Sequence, residues 1–203
     1  MSTKVFCDIA DLNSIKKASK QLEGKNIHIL INNTGGPAGG PITSADINEF
    51  EKAFQMHVVC NQILSQSVMK SMKKAGYGRI VNVISTSVKV PINGLGVSNT
   101  VRGAVASWAK TMANELAQYG ITVNNVLPGF TNTNRLKSLI SKKAEVQKVS
   151  EEHVANVMLS SVPASRFGEA EEVANAIAFL CSPAAAYING INMPVDGGRT
   201  GTL

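Results

Sequence analysis

The residues most able to do chemistry in this chain lie in its loops. Asn33-Thr34-Gly35-Gly36-Pro37-Ala38-Gly39-Gly40-Pro41 follows an apolar run directly. Backbone N–H groups in a loop of that kind can cradle a phosphate where a strand turns into a helix. Neither known spacing is complete. Gly35 and Gly40 have the Walker interval, but Pro41 stands where lysine is required, and no G-x-G-x-x-G occurs in the loop. A tight turn is an equally good account of these glycines. Pro128-Gly129 closes another apolar run in the same way. Cys7, Cys60 and Cys181 are far apart and lack metal-type spacing. An odd, sparse cysteine count suits a reducing compartment, so a cytoplasmic protein with small buried thiols and no metal site is expected.

The elements that must position these loops alternate in type. Apolar runs at residues 5–8, 27–32, 79–84, 121–127 and 191–195 read as strands. Helical patterns follow Asp11, cover 47–75 and 97–119, run through a polar, lysine-rich stretch at 134–160, and return at 170–180. Residues 27–32 are apolar almost throughout, as in a strand buried on both faces. The alternation predicts an α/β fold with a doubly wound parallel sheet, in a single domain over residues 1–203. Ligands in such sheets bind at the carboxyl ends of the strands. That directs attention to the loops after Asp8, Asn32, Ile84 and Leu127. The 20 basic against 14 acidic residues leave a net charge of +6. The lysines are scattered over polar helix faces with no interleaved aromatics, which does not suit a nucleic-acid partner. No stretch approaches the roughly 20 apolar residues of a membrane span.

Several segments, in order, resemble the short-chain dehydrogenase/reductase family. Leu30-Ile31-Asn32-Asn33-Thr34-Gly35 is similar to its L-x-N-N-A-G segment, and Gly78-Arg79-Ile80-Val81-Asn82-Val83-Ile84-Ser85 to the strand that ends in its catalytic serine. Asn124-Asn125-Val126-Leu127-Pro128-Gly129 is similar to its V-N-x-[IV]-x-P-G element, and Arg166-Phe167-Gly168, Glu171-Glu172-Val173-Ala174 and Val195-Asp196-Gly197-Gly198 to its ending. The resemblance spans residues 5–198. It implies a Rossmann-like fold, NADP or NAD as cofactor, a small-molecule carbonyl or alcohol as substrate, and a homodimer or homotetramer. A catalytically inactive homologue, serving as a binding or oligomerisation subunit, is the alternative.

Two departures from the family bear on function. The family's opening strand and T-G-x-x-x-G-I-G turn, which holds the cofactor pyrophosphate, have no counterpart before Val5-Phe6-Cys7-Asp8. The expectation is an N-terminally truncated sheet, a fragment of a longer chain in which cofactor binding is weakened or lost. Strand 27–32 should then show an unpaired edge, unless strand 5–8 slides over to pair with it or a partner covers it. The second departure is catalytic. Counting from Ser85, the family's tyrosine and lysine fall on Ser98 and Arg102, and its helical asparagine on His57. In the family the tyrosine protonates the carbonyl oxygen, the lysine lowers the tyrosine pKa and binds ribose, and the serine bonds the carbonyl. Ser98 is a poor proton donor and Arg102 stays charged. His57 titrates near neutrality. It either supplies the proton, with Ser85 and Ser98 orienting the carbonyl, or satisfies a kinked helix. The resemblance further assigns Asp8, Asn32, Thr34 and Gly35 to the adenosine side of the cofactor, and Pro128, Gly129, Thr131 and Thr133 to the nicotinamide side. Lys137, Lys142, Lys143 and Lys148 fall in the family's substrate lid, where they would suit an acidic or phosphate-bearing substrate or form a solvated helix face.

Overall fold

Parallel strands cannot be joined by tight turns, so each crossover needs a helix. The computed structural model, which describes residues 4–202, meets that need three times. Strands β1 (Ile29–Asn33), β2 (Gly78–Val83), β3 (Ile121–Pro128) and β4 (Asn192–Val195) lie parallel in the order β1-β2-β3-β4. Helix α1 (Leu12–Leu22) starts on Asp11, whose carboxylate accepts from the N–H groups of Asn13 and Ser14. Helix α2 (Ile47–Phe54) starts on Asp46 in the same manner. It passes through one wide π-turn, Gln55–Val59, into α3 (Cys60–Ala75), which Gly76 ends at φ +61°. Helix α4 (Gly96–Leu116) crosses between β2 and β3. The stretch 134–160 is two helices, α5 (Asn134–Gln147) and α6 (Glu151–Ser160), because Lys148 turns left-handed at φ 54° and Ser150 caps a new helix. Helix α7 (Ala170–Cys181) precedes β4.

Alternation along the strands sorts the core into two layers. Ile80, Ile121 and Val123 pack against Val68 and Met72 of α3 and Ala109, Met112 and Leu116 of α4. Val81 and Val126 pack on the opposite face against Leu180 and Cys181 of α7. Val105, Ala109, Met112 and Leu116 of α4 are therefore core. Trp108, on the same helix, donates from Nε1 to Gln62 at 2.7 Å.

Two expectations need correction. Residues 5–8 form no strand: among the described residues no strand pairs with them. Strand β1 is buried on one face only. Ile29 and Ile31 are 45% and 48% exposed, since α7 covers β2 to β4 and stops short of β1. Among the described residues β1 pairs with β2 alone, which is the expected open edge.

One feature was not foreseen. Asn32, Asn82, Asn125 and Asn192 stand opposite one another on the four strands. Each amide donates to the next: Asn32 to Asn82 at 2.8 Å, Asn82 to Asn125 at 2.9 Å, Asn125 to Asn192 at 2.8 Å. The ladder lies on the face towards α3 and α4, and of its buried side-chain atoms Oδ1 of Asn32, at the open edge, lacks a partner among the described residues.

Candidate active site

The loops leaving β1, β2 and β3 enclose a cleft of about 520 Å³. Thr34 and Gly35 come from the first loop, Ser85 from the second, and Pro128, Gly129, Thr131 and Thr133 from the third. Arg102 enters from α4, and the far wall is made by α5 and α7. Eight of the positions singled out from sequence thus converge, as the fold dictates for the carboxyl ends of parallel strands.

Ser85 caps a short 3₁₀ turn, its Oγ accepting from the N–H of Ser87 at 3.1 Å. Because Oγ is the acceptor there, its own hydrogen remains available to the cleft. Arg102 is 7% exposed. Its Nη1 donates to the Val83 carbonyl at 2.7 Å and Nη2 to the Thr34 carbonyl at 3.4 Å, while Nε has no partner. The guanidinium therefore ties α4 to the ends of β1 and β2. Burial pulls its pKa down to about 10, so it is charged at neutral pH. Ser98, one helical turn earlier, is buried and lies outside the cleft wall.

His57 sits in the π-turn, buried behind the loop that follows β1 and outside the cleft wall. Its Nδ1 meets Thr34 Oγ1 at 2.5 Å, and Nε2 has no partner. Burial above all, and then the Arg102 charge, pull its pKa down to about 4, opposed in part by the attraction of the protonated ring to the Gly35 backbone. The ring is neutral at pH 7. An unfolded histidine takes up its proton near pH 6.5, so between that value and about 4 only the unfolded chain is protonated. Stability should be complete above pH 6.5 and fall as pH drops towards 4, by about 3 kcal/mol. Urea unfolding across this window checks it: His57→Gln should flatten the slope, and an unchanged slope refutes the assignment.

Two assignments to the cofactor are displaced. Asp8 is exposed and caps the turn before α1, accepting from the Ala10 N–H at 2.9 Å. Asn32 spends its amide on the ladder. Neither lines the cleft, and neither do Lys137, Lys142, Lys143 or Lys148. The basic groups that do reach it were missed. Arg135, at the start of α5, donates to the Pro37 carbonyl at 3.2 Å across the cleft mouth. Arg199 lies 4.3 Å above the Phe130 ring. Both come from segments remote in sequence, and no local spacing announces them.

Comparison with known proteins agrees with this geometry. The family model described as enoyl-(acyl carrier protein) reductase matches residues 2–200. The 3-oxoacyl-[acyl-carrier-protein] reductase FabG of Buchnera aphidicola is 35% identical over 193 residues, covering 94% of this chain and 75% of that protein. Its Escherichia coli namesake is 31% identical over 196 residues, covering 96% and 76%. Among solved structures, the NADPH-dependent reductase YwfH, involved in bacilysin biosynthesis, superposes with a TM-score of 0.89 at 26% identity, over 97% of this chain and 76% of that one. A gluconate 5-dehydrogenase from Burkholderia cenocepacia, in complex with NADP and tartrate, gives 0.84 at 26% identity, over 97% and 74%. With a match running from end to end and the cleft where this fold puts its ligands, the chain belongs to the short-chain dehydrogenase/reductase family of oxidoreductases.

Proposed function

We propose that this chain interconverts a carbonyl and an alcohol with NADP or NAD, as a single domain over residues 1–203 that assembles as a homodimer or homotetramer. The observation that carries the reading is the meeting of Ser85, Arg102, Thr34 and Pro128-Gly129 around one cleft. Relatives described as 3-oxoacyl-[acyl-carrier-protein] reductases and a gluconate 5-dehydrogenase holding NADP support it.

The residues fit the nicotinamide half of such a cofactor. A Cβ at Gly35 would meet nothing within 4 Å, so the backbone there is open to a ligand. On the opposite side Thr131 Oγ1 donates to the Gly129 carbonyl at 3.3 Å and keeps a lone pair for a carboxamide N–H, while the Thr133 hydroxyl is occupied in capping α5. For the pyrophosphate the fit is poor. Among the described residues no second glycine-rich strand–helix turn faces the cleft, and the N-terminus of α1 is already taken by the Asp11 carboxylate, which repels phosphate.

When bound, the reduced nicotinamide supplies hydride to the carbonyl carbon. Ser85 donates a hydrogen bond to the carbonyl oxygen. Arg102 stabilises the negative charge that develops there, in a site where a fixed charge acts more strongly than in water. Neither Ser98 nor Arg102 is an acid near neutral pH, so the oxygen takes its proton from water. His57 is a positioning residue that holds Thr34. This lack of a titrating acid also favours a second reading, a binding subunit without turnover.

Titration with NADPH and NADH, followed by nicotinamide fluorescence, should saturate for one of them. Oxidation of that nucleotide should follow on adding a panel of carbonyl compounds, and Ser85→Ala should slow it by about 10²-fold. Saturation without turnover of any carbonyl selects the binding subunit. Failure of both nucleotides to bind overturns the proposal.

A further inference from the structure

The cleft is electrostatically one-sided. Three guanidinium groups reach it, from Arg102, Arg135 and Arg199, and among the described residues no aspartate or glutamate lines it. The nearby carboxylates face a small separate hollow beyond Phe130 and are already engaged. Glu172 holds Arg166 through both oxygens at 2.7 Å, and Asp196 accepts from the N–H groups of Gly198 and Thr200. The Arg166–Glu172 pair is the single salt bridge among the described residues.

A buried cation is unfavourable unless it is paired and hydrogen-bonded. The carbonyls of Val83 and Thr34 meet that need only in part for Arg102. Its Nε and that of Arg199 are buried without an acceptor. Phe130 holds Arg199 by its ring face, which orients the charge but does not neutralise it. Arg102 and Arg199, the Ser85 hydroxyl hydrogen and a third arginine at the mouth thus give the cleft a concentration of positive charge and donors.

We propose that the cleft takes an oxoanion and that this group belongs to the substrate. The substrate class is then an oxo acid, or the hydroxy acid it becomes, with the carboxylate held by Arg199 and Arg102 beside the carbonyl on Ser85. The inference rests on the oxidoreductase reading and narrows it. Dinucleotide phosphate has the same chemistry. The position of Arg102 in the wall that carries Ser85 favours the substrate as the source.

The test pairs acetoacetate with methyl acetoacetate, which differ by one charge and keep the carbonyl. In steady-state reduction by the intact chain, kcat/KM for the acid should exceed that for the ester by roughly 10- to 100-fold, the worth of a charge-assisted hydrogen bond. Arg199→Met should shrink this ratio chiefly through KM, and Arg135→Met, at the exposed mouth, should shrink it less. Equal rates for acid and ester overturn the inference while leaving the oxidoreductase reading intact. A second arm needs no turnover. Acetoacetate and inorganic phosphate should raise the Tm of the cofactor-free chain relative to chloride at equal ionic strength, and the ester should not. If acetoacetate protects although no nucleotide binds, the anion site stands and the oxidoreductase reading fails. If a saturating nucleotide abolishes the protection by acetoacetate, the site serves the dinucleotide and the inference is overturned.

Discussion

Replacing Asn82 by alanine is expected to remove much of the stability of this protein. Asn82 is 1% exposed, accepts from Asn32 and donates to Asn125. Its loss strands one buried donor and one buried acceptor, each worth about 1–3 kcal/mol. The sum, about 2–6 kcal/mol, is a large fraction of the 5–15 kcal/mol typical of a whole domain. Urea unfolding should show a lower midpoint with an unchanged slope, the signature of lost stability without a change in compactness. Asn114→Ala on the exposed side of α4 is the control and should shift stability by no more than about 0.5 kcal/mol. A loss below about 1 kcal/mol for Asn82→Ala would show that the ladder is not a principal support of the sheet.

The second large effect is expected at Arg102, this time in activity. Arg102→Met removes the charge assigned to the carbonyl oxygen and frees the carbonyls of Val83 and Thr34, which the guanidinium now holds. A fall in kcat of about 10²–10³-fold follows from the charge alone, by the measure of other oxyanion donors. Arg102→Lys separates the two contributions. Lysine restores the positive charge but lacks the planar fork that spans two carbonyls. It should recover kcat in part and leave the loop after β1 less well held, with a raised KM. If lysine and methionine are equally inactive while circular dichroism and Tm match those of the native chain, the charge is not what matters there.

The sequence made some of this structure easy to read and hid the rest for definable reasons. The helix start at Asp11 was legible because capping is a local transaction between neighbours, whereas the second start was open between Ser44 and Asp46 until the structure put Ser44 in a 3₁₀ turn and the cap on Asp46. Strands β2 and β3 were legible as apolar runs closed by turn residues. Val5 to Asp8 looked the same, but a strand exists only if another lies beside it, and that is a non-local condition. The loops of the cleft were found because parallel sheets direct function to one end. Asp8 and Asn32 lie apart from the cleft because matching a motif fixes a position in the chain, not the partner its side chain meets. Arg135 and Arg199 escaped because the cleft they share is assembled from segments about sixty residues apart, counted from their numbers, and neither carries a local signal. The ladder escaped for a related reason. Four asparagines in four runs mean little until the register is known.

That ladder has a bearing on how the sheet finds its alignment. In a strand with one apolar and one polar face, a shift by one residue exposes the core, so the alternation itself forbids it. Strands β2 and β3 are buried on both faces, and sliding either by two residues would still set most aliphatic side chains against aliphatic side chains. Shape alone discriminates poorly among such alignments. The amides discriminate sharply, because Asn82 opposite Val123 or Leu127 in place of Asn125 would lie unpaired in a dry interior. The asparagines therefore act as index marks on otherwise interchangeable rails, and they do so across all four strands at once.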